Sequence, residues 1–474
     1  MVDAITILCK YAMVALMIFY TIGAFWALRY RNVDDMYGCY CLLNVITFFF
    51  HAVGFAVIIL HERDWEFVAF YGVQVVFMAA YLLTYRRLYR KANLALLNHM
   101  MMFLAIGFIM LTRLYPNTAS KQLIMVGLAA IITLVVPQMF AKVKAARMWG
   151  AVTGIVGLLL LCVVLLIGRV TGGAKLSIDL KFIAVQPSEF VKISFILLLA
   201  VLFRERHDVK RILFAGAITL AHVGVLVLSK DLGAAIIYAA AFLMILFVVT
   251  RKPVTLLIGL AGGAAAAVVA YRLFSHVRVR FQAWADPWED FLGKGNQVGN
   301  SLFGMATGGW FGQGLYHGKP TSIPLVESDF IFAGICEEMG GIIGICIILM
   351  CMACMLMFIH VAADLYLPFY KLTGIGLATV YGVQVLLNIG GVIKFIPSTG
   401  VTLPLISYGG SSIFSTFILF GIMQELYIKQ QNEVERVGKS RAQYAVPKRY
   451  QEERTAGRER TQEIRKETEI QTRP

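Results

Sequence analysis

The sequence predicts an all-α, polytopic integral membrane protein, and three observations carry that reading. Of its 474 residues 59% are hydrophobic and 15% charged, more apolar material than a water-soluble fold of this length can bury. Apolar runs long enough to cross roughly 30 Å of hydrocarbon recur thirteen times. Lys and Arg gather in every second connection between those runs, as the retention of cationic loops on the cytoplasmic side requires. The net charge of +15 is then a matter of topology and needs no anionic partner. A nucleic-acid binder, a soluble Rossmann or barrel enzyme and a disulfide-stapled secreted domain are excluded.

The runs fall near residues 4–28, 37–60, 66–85, 97–114, 121–140, 147–168, 188–203, 211–228, 232–250, 253–271, 329–359, 371–395 and 404–428. The first is too long for a cleavable signal peptide, lacks a small-residue cleavage site and is followed at once by further spans. Arg29 and Arg31, then Arg86, Arg87, Arg90 and Lys91, then Lys142, Lys144 and Arg147, then Arg204, Arg206, Lys210 and Arg211, then Arg251 and Lys252 mark the cytoplasmic connections. The intervening loops face outward, so an odd number of spans places Met1 outside and the C-terminus inside. All eight cysteines lie in apolar stretches, where they read as small packing residues. Cys351 and Cys354 have no second pair or His cluster to make a metal site with.

Two segments outside the runs are long. The outward connection from about 272 to 328 carries Trp284, Trp288, Phe291, Phe303, Trp310 and Phe311 among several glycines, and loops of that length are usually functional. The tail from 429 to 474 holds twelve basic and eight acidic residues with few apolar ones, and reads as a solvated charged segment attracted weakly to anionic lipid.

Ionisable groups inside or at the mouths of membrane spans cost several kcal/mol unless paired or hydrated, so they are the first places to look for function. Four clusters qualify. In Gln186-Pro187-Ser188-Glu189-Phe190-Val191-Lys192 the proline suits a first helical turn, and Glu189 and Lys192, three apart, share a face and can pair. That pair serves either helix packing or a substrate cavity. Ser229-Lys230-Asp231-Leu232-Gly233 is a charged hairpin tip, either a solvated turn or part of a site. Asp329 opens a span facing outward, as a cap or a catalyst, and Glu337 and Glu338 follow it. On a continuous helix those glutamates lie about 12–14 Å deeper, beyond the roughly 5–10 Å of paired catalytic carboxylates, so they suit a buried supporting network. Asn388, then Pro397 to Ser412 with two prolines and three glycines, interrupts an apolar run, which is tolerated only where protein or a cavity satisfies the backbone.

In order, Q-P-S-E-x-x-K, D-L-G, a long Gly/aromatic loop, S-D-F-I-F with E-E-x-G, and P-x-T-G-V-x-L-P-x-x-S-Y-G-G-S-S resemble the SEDS family of shape, elongation, division and sporulation proteins of the RodA, FtsW and SpoVE type. The resemblance implies a ten-helix core over 97–428, with 1–96 as an extension of about three transmembrane helices and 429–474 as a cytoplasmic tail. It implies a peptidoglycan glycosyltransferase of the bacterial cytoplasmic membrane that polymerises lipid II at the outer face beside a class B penicillin-binding protein. Residue by residue, Asp329 matches the family's essential outward aspartate, Glu189 and Lys192 its cavity ion pair, and Arg280 a basic residue ahead of Asp286-Pro287. Ser407 and Ser411 fall in its S-Y-G-G-S-S turn and are implied substrate contacts.

Joining two lipid-linked sugars requires a base for the acceptor hydroxyl and cations for the diphosphate that leaves. Asp329 is the expected base, with Lys192 and Arg280, and more weakly Lys230, as the cations. A divalent cation remains open, since no ligand set can be read. The alternative is a flippase for a lipid-linked precursor, which needs polar groups along its whole path. Here they concentrate at the outer surface, which favours the enzyme. A catalytically idle scaffold is a third reading, opposed by the intact Asp329, Glu189 and Lys192.

Overall fold

The computed structural model describes residues 2–28, 33–171, 174–179, 184–205 and 208–436. The expectations for Arg29, Arg31 and Arg206, and for the tail beyond Arg436, lie outside these residues. Six helices come first, α1 (Val2–Ala27), α2 (Val33–Glu62), α3 (Trp65–Leu88), α4 (Leu94–Leu114), α5 (Pro116–Ala141) and α6 (Val143–Ile167). After a short antiparallel sheet of β1 (Arg169–Thr171), β2 (Ala174–Asp179) and β3 (Ala184–Val185) come α7 (Pro187–Phe203), α8 (Val209–Leu228), α9 (Leu232–Thr250) and α10 (Pro253–Leu273). The long connection contains α11 (Ser275–Ala285) and α12 (Asn296–Gly308) and leads into α13 (Ile331–Met339), α14 (Gly341–Asp364) and α15 (Pro368–Val392). The last helix, α16, spans Gly410–Arg436.

Every apolar run in the sequence is helical over most of its length. Among the described residues twelve helices are long and apolar enough to cross a membrane. The run at 188–203 is the exception in length, since α7 has only 17 residues. Local chemistry sets the helix starts. Asp64, Asn93 and Asp231 cap α3, α4 and α9 by accepting from backbone amides of Glu66, Leu96 and Ala234, and proline occupies the first turn of α5, α7, α10 and α15. The small sheet between α6 and α7 is an addition to the helical reading, because Gly172-Gly173 and the alternation around Lys175 gave no strong strand signal.

Residues Met1–Tyr427 form one compact unit; of the second, from Ile428 on, the described part is the helical stretch to Arg436. The centre of the first unit is α4, buried on almost every side. Against it pack α2 and α5, while α1 lies on α2 and α14. Two polar bonds fix this arrangement within apolar surroundings: Tyr20 to His99 at 3.0 Å, and the Asn98 amide donating to the Tyr40 carbonyl at 2.9 Å. By contrast α10 has no buried residue at all.

The expected single span over 329–359 is broken. Gly340 has φ +98, and a Cβ there would lie 2.5 Å from the Gly312 amide nitrogen and the Trp310 carbonyl oxygen. The backbone of the long connection thus passes directly over the junction of α13 and α14, an approach that only glycine permits. Gly340→Ala is expected to lower the thermal unfolding midpoint of the detergent-solubilised protein. The backbone conformation alone costs about 1–3 kcal/mol, before the clash is counted.

Candidate active site

The first turn of α7 brings the Gln186–Lys192 cluster to the same end of the bundle as the start of α9, the segment 393–409 and the long connection. Lys192 Nζ donates to Glu189 Oε2 at 2.6 Å and to Gln384 Oε1 of α15 at 2.7 Å. The same Glu189 oxygen accepts from Ser415 of α16 at 2.8 Å. Gln384 in turn donates to the Thr402 carbonyl at 3.2 Å. The i,i+3 pair expected from the sequence is therefore formed, and it ties three helices to the glycine- and proline-rich segment.

Beside it lies a cavity of about 570 Å³, lined by Glu189, Lys192, Ser411 and Tyr408 together with Lys121 and the apolar Ile124 and Leu128 of α5. Ile124 and Leu128 are exposed on the side of the bundle, so the cavity has an apolar flank. Ser411 Oγ accepts from the Gln186 amide at 2.8 Å, which docks the head of α7 on the S-Y-G-G-S-S turn.

Asp231 also lines this cavity. Its Oδ2 accepts from Ser188 at 2.9 Å and from Gln186 Nε2 at 3.3 Å, while Oδ1 caps α9. Burial holds its pKa above the usual carboxylate range, and the negative charge of Glu189 adds to that, against its hydrogen bonds. Lys230, the residue chosen from that cluster in the sequence, has φ +65, is exposed and is not among the lining residues. Its charge is felt instead at His276, whose pKa is lowered by burial first and by Lys230 and Arg280 next. Sequence reasoning missed Asp231 because a lysine and an aspartate at a hairpin tip look equally solvated. The helix start at Leu232, which makes the aspartate a cap, was the available signal.

Asp329 lies in the turn before α13. Gly400, with φ +75, separates it from the cavity it borders: a Cβ on Gly400 would sit 3.4 Å from Asp329 Oδ2 and 3.6 Å from Arg280 Nη2. The carboxylate and the guanidinium therefore both flank Gly400 at the cavity rim, close enough for each to feel the charge of the other. Burial pushes the Asp329 pKa up to about 6, with Arg280 pulling it down and Glu327 pushing it further up. Arg280, on α11, is held by a bond to the Ser398 carbonyl at 3.2 Å.

The aspartate turn is fixed through its backbone. Asn388 donates to the Asp329 carbonyl at 2.9 Å and to the Val401 carbonyl at 2.6 Å. Ser407 Oγ donates to the Ser328 carbonyl at 2.6 Å and accepts from the Leu403 amide at 2.9 Å, and the Tyr408 amide donates to the Glu327 carbonyl at 2.8 Å. Ser407 is thus a clasp, with its hydroxyl occupied on both sides. Glu337 and Glu338 form the supporting network expected of them. Glu337 Oε1 accepts from the Lys319 amide at 2.7 Å, and Glu338 Oε1 from the Tyr316 amide and from Arg113 Nη2, each at 3.0 Å. Burial pushes the Glu338 pKa up to about 7 against the pull of Arg113.

A helical membrane bundle with a carboxylate and cations around a cavity of mixed polar and apolar walls has the chemistry to take an amphipathic, anionic molecule. The sequence model of the FtsW/RodA/SpoVE family, described as cell cycle protein, matches residues 88–432, and the chain belongs to that family. It is 36% identical over 335 residues to the peptidoglycan glycosyltransferase RodA of Mycobacterium tuberculosis, covering 65% of this chain and 70% of the relative. Its fold is similar to a chain in a structure described as the structural coordination of polymerization and crosslinking by a peptidoglycan synthase complex, with TM-score 0.63 and 26% identity over 72% of this chain and 98% of that one. The rod shape determining protein RodA of Thermus thermophilus matches with TM-score 0.55 and 25% identity, over 71% and 96% of the two chains.

Proposed function

We propose that this protein is a peptidoglycan glycosyltransferase that polymerises lipid II at the outer face of the bacterial cytoplasmic membrane. The observation that carries the reading is the placement of Asp329 and Arg280 beside Gly400 at the rim of the cavity. The names of its relatives support the activity. The charge of the alternate connections supports an orientation with the long loop and Met1 outside and the C-terminus in the cytoplasm. A class B penicillin-binding protein is the proposed partner, in elongation, division or sporulation. The ten helices α4 to α10 and α14 to α16 are the proposed catalytic core, and α1 to α3 the extension.

In the proposed reaction Asp329 takes the proton of the acceptor sugar hydroxyl. That oxygen bonds to the anomeric carbon of the donor as the bond from this carbon to the diphosphate breaks, and the diphosphate leaves with the electron pair. Arg280 at the rim and Lys121 and Lys192 in the cavity supply positive charge where the leaving group develops its own. The exposed Ile124 and Leu128 offer the lipid chain a way out toward the bilayer.

The test is polymerisation of labelled lipid II by the purified protein in liposomes, with and without a class B partner. Glycan strands are the expected product. Transfer of lipid II across the bilayer with no polymer under any condition would instead establish the flippase. The raised pKa adds a pH dependence. The base form of Asp329 is populated above about pH 6, so turnover is expected to climb close to tenfold per pH unit below that value and to level off above it. For stability the sign is opposite: an unfolded aspartate titrates near 4, so this group favours the fold below that pH, and the benefit is lost as pH rises through about 6.

A further inference from the structure

Lys10 sits a few turns inside the apolar helix α1, where a charge is costly unless something answers it. What answers it is the long loop, more than three hundred residues away in sequence. Lys10 Nζ donates to the Gly312 carbonyl at 3.1 Å, and the neighbouring Tyr11 ring meets Phe311 edge-on at 5.5 Å. At the end of α2, His61 stacks on Tyr316 with ring centroids 4.6 Å apart and planes 1° from parallel, and bonds to Thr6 of α1 at 3.1 Å. Asp3 faces His317 at 3.4 Å.

The segment held in this way is strained and well connected. Tyr316 has φ +70, a conformation a bulky residue keeps only when its surroundings impose it. The Arg113 guanidinium lies 4.1 Å from the same ring and pairs with Glu338. The Gln313 and Gly314 amides donate to the carbonyls of Glu337 and Glu338 at 2.9 and 2.8 Å, and the Tyr316 and Lys319 amides bond to the two carboxylates. Glu338 and Lys10 line one small void, and Glu338 Oε2 is buried there without a hydrogen-bond partner. Both glutamates belong to α13, which begins two residues after Asp329.

We propose that the amino-terminal helices are an in-chain clamp on the long loop: Lys10 and His61 hold Gly312–His317, and this segment, through Glu337 and Glu338, fixes α13 and the turn that presents Asp329. Lys10 and His61 are positioning residues that act at a distance from the substrate. The part of the proposal that concerns turnover rests on the reading of Asp329 as the base.

The experiment uses the full chain in lipid nanodiscs. Amide hydrogen exchange is followed over 312–319 and 326–330 in the wild type, in Lys10→Met/His61→Leu, and in the conservative pair Lys10→Arg/His61→Phe, which keeps a donor and a stacking ring. Tyr316→Leu opens the clamp from the loop side and leaves α1 and α2 untouched. Exchange at least tenfold faster in both segments is expected for the two disruptive variants, with near-wild-type protection in the conservative pair. Their kcat for lipid II polymerisation is expected to fall at least fivefold with KM unchanged. Unchanged exchange in either segment overturns the clamp, and faster exchange with an unchanged kcat overturns the positioning role. A wild-type protein that makes no polymer defeats the proposed function by itself, while the exchange measurement still decides the clamp.

Discussion

Asp329→Asn is expected to abolish polymerisation while leaving the fold intact. The substitution is nearly isosteric, and the turn around it is held by backbone bonds from Asn388, Ser407 and Tyr408 that do not involve the carboxylate. Arg280 keeps its bond to the Ser398 carbonyl. Only the proton acceptor is lost. Positioned bases contribute about 10²–10⁴-fold, so turnover should drop by at least about 10²-fold. The thermal unfolding midpoint and lipid II binding should stay close to wild type. Polymerisation by the variant at an undiminished rate, in the assay with a class B penicillin-binding protein, would remove Asp329 from the role of base.

The second large effect is expected at the Glu189–Lys192 pair. Lys192 is 3% and Glu189 13% exposed, so removing either strands the other charge with little solvent around it. Lys192→Met leaves Glu189 with Ser415 and takes the donor from Gln384. Breaking a buried pair from one side costs about 3–5 kcal/mol, enough to unfold many domains. Glu189→Gln/Lys192→Met removes both charges and should restore most of the lost stability, because two neutral side chains of similar volume carry no stranded charge. Activity should remain low in the double variant, since the cavity has lost a cation. Thermal melts in detergent and polymer yield separate the two outcomes. Equal stability of the single and double variants would show that the pair is not coupled.

The expectations that held are those encoded by local spacing. Apolar runs became helices, the i,i+3 relation of Glu189 and Lys192 became an ion pair, and Pro187 started a helix. What escaped was set by residues far apart in the chain. The break at Gly340 was invisible in a run that is apolar on both sides of it, because the cause is the backbone of Trp310–Gly312 crossing above. Arg113 carries no signal of its own in the sequence, and only the fold brings it to Glu338. Lys10, the one charge within the first apolar run, was passed over although the cost of its position was already a signal. Ser407 was read as a substrate contact, and its hydroxyl proves to be spent on the aspartate turn.

The brevity of α7 bears on how an amphipathic molecule approaches the site. Its 17 residues rise about 25 Å, against about 39 Å for the 26 residues of α5. Most of α7 is buried among other helices, so its short length acts inside the bundle, where the head that carries Glu189 and Lys192 borders the cavity. The depth at which Lys192 meets the cavity is thus set by the length of one helix.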